Sequence, residues 1–438
     1  MKKLSLYTLL LAAMFAGCNK SSDPILEDAD TRLAQRLKED QQLLVGAQYG
    51  WKATIYPKGG KGFYYYFKFN SDNSVDIMAD FNNTTATILK TSTYRLKALQ
   101  WPTLIFDTYS YIHLPSDPSS GISGGTSGAG LQSDFQFAMD KMQGDTFVVN
   151  GIDKGNKMTM VKLTSAEQQD ILKGQVADRI IDNSTYALTN KAPYLSLKEG
   201  VKIDAAINAP TRRIRFGYVD ANGTTISKTR AFAITPYGLI LDSAFRYQDI
   251  VIREFLWDVA AKKYYVKNGA ETYDVQQGLV PVVPLNKVFG VGKDYATIEY
   301  NATTLKGTLG SDFDGVYMAC FNSLKSSGYT LGYIRLTLNV DNSFTMRFSF
   351  SNATTTYLAD VLYTQTKTPD GAVKFIFNSQ NGNAGALAGA FAGTRSYFET
   401  NTFNLSWIPN TINGSTLVLG GFVKTTDPAQ YFYGVLGN

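Results

Sequence analysis

The sequence predicts a mainly β protein made of tandem antiparallel barrel or sandwich modules, with a short N-terminal helix and a connecting helix. Three observations lead there. Short runs rich in aromatic and β-branched residues, such as 63–69, 103–106, 146–149 and 158–163, recur between turn-forming pairs like Asp72-Asn73 and Asn150-Gly151. Long helical periodicity is nearly absent. The chain also repeats itself: a shift of 269 residues places Tyr64, Asn70, Asp72, Asn73, Ser74, Phe81, Asn83, Thr85, Thr87 and Tyr94 on identical residues between Tyr333 and Tyr363. That is more agreement than composition alone supplies.

The elements follow in order. Met1 to Lys3 are basic, Leu4 to Phe15 are apolar but too few to span a bilayer, and small residues Ala16-Gly17 precede Cys18. This pattern reads as a secretory signal over 1–17. It resembles a lipoprotein signal, with Phe15 where Leu is usual, and the resemblance implies cleavage before Cys18 and acylation of that residue. Several buried acyl chains, each methylene worth roughly 0.8 kcal/mol, make a lasting anchor. Residues 18–28 then form a polar tether. From Ala29 to Val45 a helix is expected, with Asp30 or Thr31 as its cap and Leu33, Leu37 and Leu44 on one face. Consecutive antiparallel strands follow from Trp51. Thr164-Ser165-Ala166-Glu167 reads as a capping box opening a second helix that closes a first module over 29–182.

Residues 183–300 are again β-rich, with hairpin signals at Asn222-Gly223 and Asn268-Gly269, and show no third repeat. They either build their own sandwich or complete the neighbouring sheets. The last module, 301–438, is related to the first: at a shift of 270, Gly144, Thr146, Val148, Gly151 and Lys154 meet Gly414, Thr416, Val418, Gly421 and Lys424. Within it, Phe313, Tyr317, Cys320 and Leu324 recur at helical spacing, and Cys320 is expected as a small core residue.

Composition excludes much chemistry. Of 438 residues, 44% are apolar, which is a folding composition, and 42 Lys and Arg against 37 Asp and Glu leave no basic footprint for nucleic acid. One histidine and two cysteines cannot build a Cys- or His-rich zinc site or an iron–sulfur cluster, and no metal or cofactor is expected. With Cys18 acylated, Cys320 has no disulfide partner. Asn70, Asp72 and Asp76 lack the glycine and distal glutamate of a calcium loop, and a hairpin turn explains them better.

The candidate site is the stretch from Phe106 through Asp107, Tyr109, Tyr111, His113 and Asp117 into a Gly/Ser-rich loop ending at Gly130. It gathers the only histidine, two acids and two rings in a long connection, where a rigid β scaffold concentrates binding groups. Carboxylates and imidazole fix hydroxyls, and rings offer apolar faces to a sugar or other flat ligand. Ligand binding by Asp107, Tyr109, Tyr111, His113 and Asp117 is therefore expected, without catalytic residues. The bland alternative is that Asp107 caps a turn, the tyrosines are core and His113 bonds a neighbouring strand. The corresponding stretch of the second copy, 378–394, is Gly/Ala-rich and lacks both His and Asp. Asp107 and Asp117 could instead form a glycosidase pair, which spacing in sequence does not show.

The blocks Gly-Phe-Tyr-Tyr-Tyr-Phe-Lys-Phe-Asn (62–70), Ser-Thr-Tyr-Arg-Leu-Lys-Ala (92–98), Phe-Asp-Thr-Tyr-Ser-Tyr-Ile-His (106–113), Ser-Asp-Pro (116–118) and Gly-Leu-Gln-Ser-Asp-Phe (130–135) resemble the Bacteroidota lipoprotein family called domain of unknown function 4302. The likeness is dense over 28–182. It implies an outer-membrane lipoprotein, its surface display marked only by Asp23 after Cys18, near an outer-membrane transporter and companion lipoproteins of nutrient uptake. It implies no catalytic residues. The expected function is a non-catalytic accessory that binds a nutrient, a glycan or its product. A structural or docking subunit is the second reading and a carboxylate-based glycoside hydrolase the third.

Overall fold

The computed structural model describes residues 29–140, 142–413, 415 and 417–438. The leader, Cys18 and the tether lie outside them. Two compact units divide the chain, one comprising residues up to 53 with 65–78 and 89–168, the other 54–64, 79–88 and 169–438. The fold is mainly β, and its strands close into three eight-stranded antiparallel barrels, each with neighbours in sequence order.

The first helix, α1 (Ala29–Val45), is as expected, and its end is tied by the Trp51 indole N–H donating to the Leu44 carbonyl at 2.9 Å. The first barrel runs through β1 (Trp51–Ile55), β2 (Phe63–Phe69), β3 (Ser74–Ala79), β4 (Lys90–Ala98), β5 (Pro102–Phe106), β6 (Gln136–Met139), β7 (Thr146–Gly151) and β8 (Lys157–Lys162). Alternation sends every second residue inward, Phe147 and Val149 on β7, Met158 and Met160 on β8. Phe67, Phe69, Tyr94, Phe106 and Phe137 meet inside with ring centroids 4.9 to 6.4 Å apart.

The middle region is a complete barrel of its own: β9 (Ala192–Ser196), β10 (Lys202–Asn208), β11 (Arg213–Val219), β12 (Thr225–Thr235), β13 (Gly238–Tyr247), β14 (Ile250–Asp258), β15 (Lys263–Asn268) and β16 (Glu271–Gly278). Closure is visible at Leu195, which faces Ile203 on one side and Val275 on the other. No edge is left to pair with another chain. Phe216 and Phe245 stack inside it at 3.9 Å. The connecting helix departs from expectation. Thr164 and Glu167 do form the capping box, with the Thr164 N–H donating to Oε2 at 2.9 Å, but Gly174 at φ +87° breaks the helix after Leu172. A second helix, α2 (Gln175–Thr189), continues past 182 and places Tyr186 in the core of the middle barrel.

The third barrel comprises β17 (Thr297–Tyr300), β18 (Thr330–Leu338), β19 (Phe344–Ser351), β20 (Thr356–Lys367), β21 (Val373–Gln380), β22 (Thr402–Ile408), β23 (Leu419–Lys424) and β24 (Tyr431–Gly437). Helices α3 (Asp312–Ser326) and α4 (Ala388–Glu399) pack into its core through Phe313, Tyr317, Cys320, Leu324, Phe391 and Phe398. The stretch 378–394 is thus no loop: it is the end of β21, a short helix Gly382–Ala386 and most of α4. Its alanines suit a helix, and burial of Phe391 against Phe348 at 4.2 Å holds it in place. Burial also pushes the Cys320 thiol up to about 12, so it is an inert core group.

The 269-residue shift carries β2 onto β18, β3 onto β19, β4 onto β20 and β5 onto β21. The turn between the second and third strands is reproduced bond for bond. Asp72 accepts from the Ser74 N–H at 3.0 Å and hydroxyl at 2.6 Å with Asn73 at φ +65°, and Asp341 does the same for Ser343 with Asn342 at φ +62°. These are Asx turns, which explains the acidic residues without calcium. Asn150-Gly151 is not a turn but the end of β7. The turn lies at 152–156, where the buried Asp134 carboxylate accepts from the N–H groups of Asp153, Lys154 and Asn156 at 2.8 to 2.9 Å. A Cβ on Gly151 would stand 2.1 Å from Asp134 Oδ2, so glycine is required there.

Inside the second unit, Asp80 is wholly buried and accepts from the Tyr64 N–H at 2.9 Å, the Ile234 N–H at 2.7 Å and Arg212 Nη1 at 2.7 Å. Arg212 also donates to the Gly62 carbonyl at 2.7 Å and lies over the Phe63 ring. Asp80→Ala strands a buried guanidinium and two N–H groups, and is expected to lower unfolding free energy by about 3–5 kcal/mol in urea titration.

Candidate functional site

The first residues to fix the site are Ser110 and His113. Ser110 caps a 3₁₀ turn over Tyr111–Ser116, and the His113 ring folds back on it: the Ser110 N–H donates to Nδ1 at 3.1 Å, while Nε2–H donates to the Phe106 carbonyl at 3.2 Å. Both ring nitrogens are thereby committed inside the chain, and the ring is buried between Tyr109 at 5.5 Å and Phe135 at 4.6 Å. Burial depresses the His113 pKa, the two backbone bonds acting against it, so the imidazole is neutral. It is a positioning group, and no ligand takes its nitrogens without breaking the turn.

Tyr109, stacked on this ring, is 49% exposed, and its hydroxyl donates to Asp117 Oδ2. Its pKa is pushed up to about 12, by desolvation first and then by the Asp117 carboxylate. Asp117 in turn accepts from the Ser119 N–H at 2.8 Å, which holds the acid at the start of the Gly/Ser loop. The loop is ordered by its own backbone: Gly128 donates to the Pro118 carbonyl at 2.8 Å and Leu131 to that of Pro115 at 2.7 Å. A Cβ on Gly130 would come within 2.7 Å of the Asp117 carbonyl, which accounts for a glycine at φ +58°.

The structure brings together Tyr109, Tyr111, His113 and Asp117, but not Asp107. That carboxylate turns to Arg95 at 2.8 Å on the exposed face of β4, and its N–H extends the β4 pairing by donating to the Thr93 carbonyl at 3.0 Å. Lys90 is the member the sequence reading lacked. From the start of β4 its ammonium lies 5.9 Å from the Tyr109 ring centroid and 5.7 Å from that of Tyr111. Nothing in the local sequence marks it, since strand pairing alone carries it across. The corner thus presents an exposed phenol, a second ring, a cation and an acid in fixed positions. Nearby in sequence, the β4–β5 tip exposes Trp101 at 63% and Leu99 at 51%.

Among the described residues no group of three or more His, Cys, Asp or Glu is arranged to hold a metal ion, and no helix is long and apolar enough to cross a membrane. A family model described as "Domain of unknown function (DUF4302)" matches residues 26–259, just over half of the chain. The chain belongs to that family. No curated protein matches this DUF4302 chain. Among solved structures, a protein of unknown function from the DUF3598 family of Nostoc punctiforme is similar at 8% identity and a TM-score of 0.14, over 74% of this chain and 97% of that one. Transferrin binding protein B, isotype 1, from serogroup B Neisseria meningitidis is similar at 9% identity and a TM-score of 0.11, over 89% of this chain and 76% of that one.

Because the folded imidazole resists protonation, acid favours the unfolded chain, whose histidine titrates near 6.5. Stability is expected to fall as pH drops below that value, by at most about 1.4 kcal/mol per pH unit. In denaturant titrations between pH 7 and 5, His113→Asn, whose amide oxygen can accept from Ser110, should lack this component.

Proposed function

We propose that this chain is a non-catalytic binding protein, anchored in the outer membrane through acylated Cys18, which holds a glycan or its breakdown product for an uptake complex. The observation that carries the reading is the Tyr109 corner: an exposed aromatic face with its hydroxyl, a carboxylate and an ammonium held still by buried groups beneath. Apolar sugar faces pack on such rings, and hydroxyls bond to the flanking acid and base. Preorganisation by the His113 stack and the Ser119 bond reduces the ordering cost of binding. Filled barrel interiors support an exterior site, since the Phe216–Phe245 stack at 3.9 Å and the Phe348–Phe391 stack at 4.2 Å occupy the space where an open barrel would hold its ligand.

Asp107 and Asp117 support binding over hydrolysis, since one is committed to Arg95 and the other to Tyr109 and Ser119. The anchor rests on the leader and Cys18 alone.

Two measurements test this. Cys18→Ala should move the chain from the membrane pellet to the soluble fraction of a related bacterium, and continued pelleting would defeat the anchor. On an immobilised oligosaccharide panel, Tyr109→Ala should bind its best ligand about tenfold more weakly, a loss of about 1.4 kcal/mol, with unchanged circular dichroism. Equal binding by the folded variant would remove the corner as the site.

A further inference from the structure

A second cleft, distinct from the Tyr109 corner, lies at one end of the middle barrel. Helix α2 crosses that end, where Tyr186 meets Trp257 and Tyr264 edge-on at 5.9 and 5.0 Å, and Asn183 accepts from the Tyr264 hydroxyl at 3.2 Å. Between α2 and the β14–β15 turn remains a space of about 210 Å³. That is room for several waters, or for one small ring-shaped solute.

Its lining is specific. Trp257, nearly buried, supplies an aromatic floor, and Ile181 and Val259 form an apolar rim, exposed at 52% and 67%. Arg179 lies over the Trp257 ring at 5.8 Å and pairs with Asp182 at 2.8 Å, yet its Nε is buried and has no hydrogen-bond partner. A buried donor left unmade costs on the order of 1–3 kcal/mol or more for a charged group, so a shift of the Arg179 side chain that brought Nε to a ligand oxygen would be strongly favoured. Asp178 and Lys262 complete the walls, both exposed. Two acids and two bases leave the cleft without net charge, so it attracts neither a simple anion nor a simple cation. The pattern of one apolar floor ringed by both donors and acceptors matches a neutral ring that carries several hydroxyls.

We infer that this cleft binds a neutral, polyhydroxylated small molecule of one sugar ring, with Trp257 and Val259 against its carbon face, Arg179 Nε donating to a hydroxyl oxygen, and Asp178 and Lys262 bonding its outer hydroxyls. It is independent of the Tyr109 corner, and each site can fail without the other.

Saturation-transfer NMR on the full chain, with glucose, galactose, mannose, xylose and N-acetylglucosamine as probes, tests it, with glutamate and lysine as charged comparators. At least one sugar should receive saturation at millimolar concentration or below. Asp178→Asn and Lys262→Ala, both at exposed positions, should each raise its Kd about tenfold, while Tyr109→Ala leaves it unchanged. The inference is overturned if no sugar receives saturation, if only glutamate or lysine does, or if both cleft variants bind with wild-type affinity. Loss of the sugar signal in Tyr109→Ala alone would assign it to the first barrel and equally overturn the cleft.

Discussion

An antiparallel meander of eight strands that closes on itself leaves an interior narrow enough for side chains to fill. Everything else in this protein depends on that constraint. Alternate strand residues are apolar and fill the space, so Phe216, Phe245 and Phe255 meet inside the middle barrel, and in the third Phe375 and Phe432 meet Phe398 of α4. Closure also removes the sheet edges, so none of the three barrels needs charged edge strands to prevent pairing with neighbours. Ligands are left with the ends and the outer surfaces.

The ends are held by aspartates. Asp134 gathers the N–H groups of 153, 154 and 156, Asp204 those of Val282 and Val283 at 2.7 and 3.0 Å, and Asp314 the hydroxyls of Tyr300 and Tyr433 at 2.8 Å each. Each satisfies donors that would otherwise be buried without partners, which is expensive in a closed sheet. Asp80 does the same with Arg212 as its counter-charge. These acids are thus committed to folding, which explains why so many carboxylates yield so few candidates for chemistry.

His113 follows the same logic. The rarest side chain in the sequence turns out to be a fastener, its two nitrogens bonded to Ser110 and Phe106 and its face lent to Tyr109. Binding capacity passes to the groups it positions: a half-exposed phenol, Asp117 at its hydroxyl, and Lys90 across the strand. Functional groups on a loop gain their geometry from buried neighbours, and a residue's rarity says nothing about which of these parts it plays.

The sequence by itself determined the local structure. A run of aromatic residues marked Phe63–Phe69 to the residue, helical spacing placed Phe313, Tyr317, Cys320 and Leu324 on one buried face, and the 269-residue repeat marked matching strands and turns. Those signals survive because each is carried by neighbours within a few positions. Tertiary structure decided what depends on distant partners. Asn150-Gly151 looked like a turn until Asp134 claimed the backbone beyond it, 378–394 looked like a loop until the third barrel's core drew Phe391 inward, and the middle region had no repeat to reveal its closure. In the site, Tyr109, His113 and Asp117 were legible because they lie within one short segment. Lys90 and the separation of Asp107 toward Arg95 were not, because strand register sets both, and register is fixed only when the barrel closes.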